Sequence, residues 1–170
     1  ILKGGFYAQA IARGFAKTTI GVRLIVWAVL NGHRRSVVLF GFDKGFAADL
    51  LADVKTELLE HDLLAEDYPE VVLPLRAIGG VAQRAASQTF GGEKTHAVWK
   101  TTEIQLPTLT TPRLDEGKSR RGASAGQPAL VPLGRAGGAV VVARPRDNAR
   151  GLRRRLPDGT VQRPDFFLAD

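Results

Sequence analysis

Lys17 and Thr18 stand side by side at the end of the stretch Ile11-Ala12-Arg13-Gly14-Phe15-Ala16-Lys17-Thr18-Thr19. An ammonium group next to a hydroxyl, at a turn that opens a helix, is a pairing suited to phosphate. Backbone N–H groups of the turn and of the helix N-terminus wrap the oxygens, and the helix dipole favours their charge. The lysine brings a point charge to the β- and γ-phosphates, and the hydroxyl can ligate Mg²⁺. The general spacing for such a loop is G-x-x-x-x-G-K-[ST], and here Ile11 and Ala16 occupy the two glycine positions. The residues therefore allow two readings. One is a phosphate-binding loop; the other is a basic turn capping a helix, with Gly14 supplying a permissive backbone.

A nucleotide site also needs an acid at the end of a neighbouring strand, to hold Mg²⁺ directly or through water. Phe166-Phe167-Leu168-Ala169-Asp170 has that form, four apolar residues and then a carboxylate. The candidate metal-holding residues are Thr18 and Asp170, and Lys17 is the candidate charge-stabilising residue.

The surrounding sequence predicts the elements that would position these groups. Residues 6–12 read as a short buried strand leading into the turn. A helix is expected over 18–31, apolar on every side from 24 to 30 and ended by Gly32. Residues 36–40, Ser-Val-Val-Leu-Phe, read as a strand covered on both faces. Asp43 can cap a second helix running to about residue 61, with Ala47, Leu50, Leu51, Val54 and Leu58 on one face and Asp49, Asp53 and Glu57 on the other. After Pro69 an extended stretch is expected, then a short helix over 81–89. The alternation of 96–106 reads as one strand, half of a hairpin, with Val98, Lys100, Thr102, Ile104 and Leu106 on one side. Residues 107–138 are rich in Pro, Gly, Ser, Thr and Arg and read as a flexible loop or insertion. A buried strand is expected at 139–143 and an apolar strand closing on an acid at 165–170, with a basic loop over 144–159 between them. Strands alternating with helices give an α/β fold with a largely parallel sheet and helices on both faces.

Composition narrows the chemistry further. The 170 residues contain no Cys, which excludes disulfides, thiolate metal sites and cysteine nucleophiles. The run from 24 to 30 is far too short to span a bilayer, and the first residues lack the apolar core of a secretory signal. The absence of Met and the stop after an apolar run suggest a fragment. His33, His61 and His96 are too scattered to suggest a metal site, and Trp27 and Trp99 read as core residues.

The formal charge of +7 is uneven: residues 1–110 carry 12 basic and 11 acidic side chains, and residues 111–170 carry 12 and 6. Eleven of those last 12 basic residues are Arg, whose planar fork suits phosphate. Arg150, Arg153 and Arg154 are the candidate contacts to a nucleic-acid backbone. A solvated basic surface is the plain alternative.

The stretch Arg13-Gly14-Phe15-Ala16-Lys17-Thr18-Thr19 resembles the phosphate-binding loop of the large terminase subunit of tailed bacteriophages, which often runs Arg-Gly-x-Ala-Lys-[Ser/Thr]. The resemblance continues through Trp27-Ala28-Val29-Leu30-Asn31-Gly32-His33-Arg34-Arg35, through Leu50-Leu51-Ala52-Asp53-Val54-Lys55-Thr56-Glu57-Leu58, and through Asp62-Leu63-Leu64-Ala65-Glu66-Asp67-Tyr68-Pro69-Glu70. Ala149-Arg150-Gly151 and Arg163-Pro164-Asp165-Phe166-Phe167-Leu168-Ala169-Asp170 resemble the family's loop and acidic strand. Residues 107–138 do not look like the family.

The resemblance implies a P-loop NTPase-like fold, with residues 1–170 as a partial ATPase domain. It implies ATP and Mg²⁺ held by Arg13, Gly14, Phe15, Ala16, Lys17, Thr18, Thr19 and Asp170, with Arg13 also stabilising charge at the γ-phosphate as a catalytic residue beside Lys17. The implied activity is ATP-driven translocation of double-stranded DNA into a capsid. A further acid that would position the attacking water, and a C-terminal nuclease domain, would lie beyond Asp170, leaving this fragment inactive alone. The implied partners are the portal protein and the small terminase subunit, in a homo-oligomeric ring with no membrane contact, in the cytoplasm of the infected bacterial host. A helicase-like P-loop NTPase and a non-catalytic DNA-binding protein with a degenerate loop are the alternatives.

Overall fold

The computed structural model describes residues 15–112, 130–132, 134–148, 152–155 and 161–169. In chain order the elements begin with α1 (Lys17–Leu30), β1 (Ser36–Gly41), α2 (Lys44–Glu60), α3 (Asp62–Asp67), α4 (Pro69–Ile78) and α5 (Ala82–Ser87). Short strands follow: β2 (Thr89–Phe90), β3 (Glu93–Lys94), β4 (Val98–Lys100), β5 (Glu103–Gln105), β6 (Thr110–Pro112) and β7 (Leu130–Pro132). The chain then forms β8 (Val140–Pro145), a 3₁₀ turn at Arg146–Asn148, β9 (Arg154–Arg155), β10 (Val161–Gln162) and β11 (Phe166–Ala169).

The fold is α/β, built on a five-stranded sheet in the order β11-β1-β8-β5-β4. β1 runs parallel to both β11 and β8, but β5 runs antiparallel to β8 and to β4. The sheet is therefore mixed rather than largely parallel. The difference comes from residues 96–106, which form a complete hairpin rather than one strand. The turn at 101–102 reverses the chain, so Trp99 faces Ile104 and Val98 faces Gln105.

β1 lies inside the sheet, between β11 and β8, and is buried along almost its whole length. Val37 and Leu39 join Val141 and Ala143 of β8, Ile104, and the apolar faces of α1, α2 and α4 in one core. Burial of such side chains, roughly 1.5–3 kcal/mol each, is what holds the helices to the sheet. Among the described residues the helices gather on this face alone, not on both. The opposite face presents Val38 and Val140, with Phe40 stacked on Phe167 at 5.9 Å between ring centroids. On its other side β11 has no paired strand among the described residues.

The two long helices begin and end close to where the sequence places them. In α2 the Asp43 carboxylate accepts from the Phe46 amide at 2.8 Å, and Ala47, Leu50, Leu51, Val54 and Leu58 are all buried. This is an N-cap on an amphipathic helix. α1 ends at Asn31, and Gly32 follows in the left-handed conformation at φ +69°, the position where glycine relieves steric strain.

Residues after Pro69 form α4 instead of an extended stretch. Proline at the first helical position loses no hydrogen bond and presets φ, so Pro69 starts a helix here and does not break one. Within 107–138, β6 and β7 pair antiparallel and Ala136 is buried. The basic stretch 144–159 contributes the end of β8, and β9 pairs with β10. Trp99 is 6% exposed, as a core residue should be, but Trp27 is 44% exposed. Trp27 projects away from the packed side of α1 and lies against His33, with ring centroids 4.7 Å apart. No helix among the described residues is long and apolar enough to cross a membrane.

Two predictions follow from this packing. A Cβ on Gly41 would lie 2.5 Å from the Ala47 backbone nitrogen, so Gly41→Ala must push α2 away from β1. Urea denaturation should show a loss of about 1–3 kcal/mol, and an unchanged midpoint would contradict this packing. Lys55 donates from Nζ to the Lys100 carbonyl at 2.7 Å and sits 5.2 Å from the Trp99 ring centre. Burial pushes its pKa below the ordinary 10.5, so the unfolded chain binds more protons between the folded and unfolded values. Stability should therefore rise as pH climbs through that window toward 10.5. The rise should be smaller in Lys55→Met, as read by denaturation at stepped pH.

Candidate functional site

α1 leads through Asn31 into the start of β1, so its N-terminus lies at the opposite edge, where β1, β8 and β11 end. α2 also starts at that edge, directly after Gly41 and the capping Asp43. In open α/β sheets ligands bind outside the carboxyl ends of the strands, because helix N-termini and loops converge there.

The turn into α1 is unusual. Ala16 has φ 51° and ψ 27°, the left-handed region, and Lys17 beside it is already helical. A non-glycine residue there costs roughly 1–2 kcal/mol. A left-handed residue joined to a right-handed one turns consecutive N–H groups toward a common concavity, an arrangement that binds anions. The N-cap residue Ala16 makes no side-chain capping bond, and no acid occupies the first turn of α1. Lys17 is exposed, Thr18 is half-buried and Thr19 is exposed. Phe15, before the turn, is 69% exposed.

Gly21, one turn further along, sets how closely α1 approaches β11. A Cβ there would lie 3.1 Å from Leu168 Cδ2. The helix start and the end of β11 are thus neighbours through the Gly21–Leu168 contact. Asp170 follows Ala169 but lies outside the described residues, as do Arg13 and Gly14. Of the sequence-predicted cradle, then, Phe15, Ala16, Lys17, Thr18 and Thr19 are placed at the carboxyl edge.

The predicted DNA contacts are placed only in part. Arg153 is exposed, Arg154 lies in β9 opposite Gln162, and Arg150 lies outside the described residues. No group of three or more His, Cys, Asp or Glu side chains that could hold a metal occurs among the described residues.

Other residues at or near this sheet were missed by the sequence reading. Arg144, at the end of β8, has a buried Nε without a hydrogen-bond partner among the described residues. Phe42 is exposed at the turn into α2 and packs against Phe46, with ring centroids 5.1 Å apart. Asp165 accepts from the Arg35 and Ser36 amides at 2.9 and 3.0 Å, fixing the start of β1 beside the start of β11. The Pro164-Asp165 pair just before an apolar run was the available signal for that clamp.

The backbone of Ala16 generates a prediction independent of any ligand. Ala16→Gly should stabilise the fold by about 1 kcal/mol in chemical denaturation, and Ala16→Val should destabilise it by about 1–2 kcal/mol. The reverse order would mean that residue 16 is not left-handed in solution. No known protein family, curated protein or solved structure matches this chain.

Proposed function

We propose that this chain is the ATP-binding part of a motor that moves double-stranded DNA, with a P-loop NTPase-like site at the turn before α1. The observation that carries the reading is the left-handed Ala16 placed directly before helical Lys17 and Thr18. A non-glycine residue held in the left-handed region at a helix start is commonly associated with a functional site. The described residues fit a polyphosphate: a left-handed residue leads directly into the helix, no acid occupies the first turn, and Lys17 is exposed.

In this reading the amides from Arg13 to Thr19, including those of Gly14 and Phe15, orient the phosphate chain. Lys17 neutralises charge at the β- and γ-phosphates, and Arg13 stabilises charge at the γ-phosphate. The Thr18 hydroxyl and the Asp170 carboxylate would hold Mg²⁺. When bound, ATP with Mg²⁺ supplies the phosphoanhydride whose hydrolysis drives movement. The chain's contribution is orientation and charge neutralisation, since phosphoryl transfer asks little else of a protein.

The resemblance to the large terminase subunit supplies the rest of the proposal. The cargo is duplex DNA packaged into a capsid, contacted by Arg150, Arg153 and Arg154. The partners are the portal protein and the small terminase subunit, in a homo-oligomeric ring within the infected bacterial cytoplasm. A second reading, a non-catalytic DNA-binding protein with a degenerate loop, is favoured by Ile11 and Ala16 at the two glycine positions.

Equilibrium binding of a fluorescent ATP analogue, with and without Mg²⁺, tests the site. Lys17→Ala should weaken binding roughly tenfold or more, the scale of one charge-assisted hydrogen-bonding group, while Ala16→Gly keeps it. Equal affinities for the parent chain and Lys17→Ala would remove the nucleotide from the proposal. DNA binding without any response to nucleotide would then favour the second reading.

A further inference from the structure

A cleft of about 310 Å³ lies between the C-terminal half of α1, the end of α2 and α3. It is at the opposite edge of the sheet from the turn before α1, so it does not depend on the nucleotide reading. Its floor includes the exposed ring of Trp27 and the ring of Tyr68, and Glu57 and Asp67 are among its lining residues. Tyr68 is held in place by its hydroxyl, 3.3 Å from Asn31 Oδ1.

The charge around this cleft is opposite to that of the chain as a whole. Six carboxylates fall between residues 57 and 70, and neither Lys nor Arg occurs from 56 to 75, in a protein of net charge +7. Within the cleft one guanidinium is already seated on a carboxylate: Arg23 Nε lies 3.2 Å from Glu57 Oε1. That ion pair is solvent-exposed on the arginine side and is worth little by itself. Asp67 has no hydrogen-bond or ion-pair partner among the described residues.

An exposed indole flanked by carboxylates attracts an organic cation. The ring face favours a guanidinium or ammonium group within about 6 Å, and the acids add charge complementarity. The same acids repel a nucleic-acid backbone. We propose that this cleft docks an arginine- or lysine-bearing segment of a partner protein, with the cationic side chain against Trp27 and its charge shared between Glu57 and Asp67. Arg23 then acts as an internal competitor that a stronger cation displaces.

The test uses the full chain and two blocked peptides, Gly-Arg-Ala-Arg-Gly and Gly-Glu-Ala-Glu-Gly, titrated while tryptophan fluorescence is read. Trp99 is buried, so the signal reports chiefly on Trp27. The arginine peptide should give a saturable change at low salt that fades at high salt, and the glutamate peptide should give none. The double variant Glu57→Gln/Asp67→Asn should weaken the arginine peptide roughly tenfold, whereas Arg23→Ala should tighten it about threefold by removing the competitor. Circular dichroism of the variants should match the parent, since Arg23 and Asp67 are exposed, Glu57 is partly exposed, and the carboxylate replacements are isosteric. Equal response to both peptides, or an unchanged curve in the double variant, overturns the proposal. Sedimentation showing a dimer that the double variant abolishes would also overturn it, by identifying the occupant as a second copy of this chain.

Discussion

Three strands that run the same way are kept in step by one carboxylate and one backbone junction. Asp165 accepts from two successive amides at the mouth of β1, and its own amide returns a bond to the Ser36 carbonyl at 2.9 Å. On the other side of β1 the Val140 amide donates to the Arg35 carbonyl at 2.8 Å. A one-residue slip would turn Val37 and Leu39 out of the core. The clamp therefore fixes where β11 and β8 end, and with them the edge at which α1 and α2 begin. The left-handed turn at Ala16 sits at that edge, its helix held over β11 by the Gly21–Leu168 contact.

Much of the helical architecture was legible because it obeys local rules. α2 carries its cap and its apolar stripe in the sequence itself, and α1 announces its end through Gly32. The errors arose where a local signal had two meanings. Pro69 can break a helix or begin one, and only the apolar positions Val71, Val72, Leu75 and Ile78, buried in α4, reveal the second. Alternation through 96–106 cannot show a reversal at 101–102, because a hairpin's two strands share the same polar–apolar rhythm. Trp27 reads as a core residue from its type, yet helical geometry leaves one residue in such a run facing outward.

The candidate site was legible as chemistry but not as conformation. Lys17 beside Thr18 identified the turn, and nothing in the identity of Ala16 announces a left-handed backbone, which is rare for that residue. The long-range partners were invisible for a different reason. Which helix face meets Leu168, or which amides meet Asp165, depends on contacts across more than a hundred residues. The acid-lined cleft lay between these cases: its carboxylate run stands in the sequence, while the indole beside it emerges only when α1 and α3 come together.

The outer edge of β11 has a consequence for handling the molecule. Phe166-Phe167-Leu168-Ala169 is short, flat in charge and rich in aromatic and aliphatic surface, with Phe167 55% exposed. Among the described residues no strand pairs with its outer side, and an uncovered strand edge is a template to which another extended chain can hydrogen-bond. Nothing in that tetrapeptide discourages such growth, since it contains neither a charge nor a proline. Against such growth a single lysine placed at Phe167 would act as a gatekeeper.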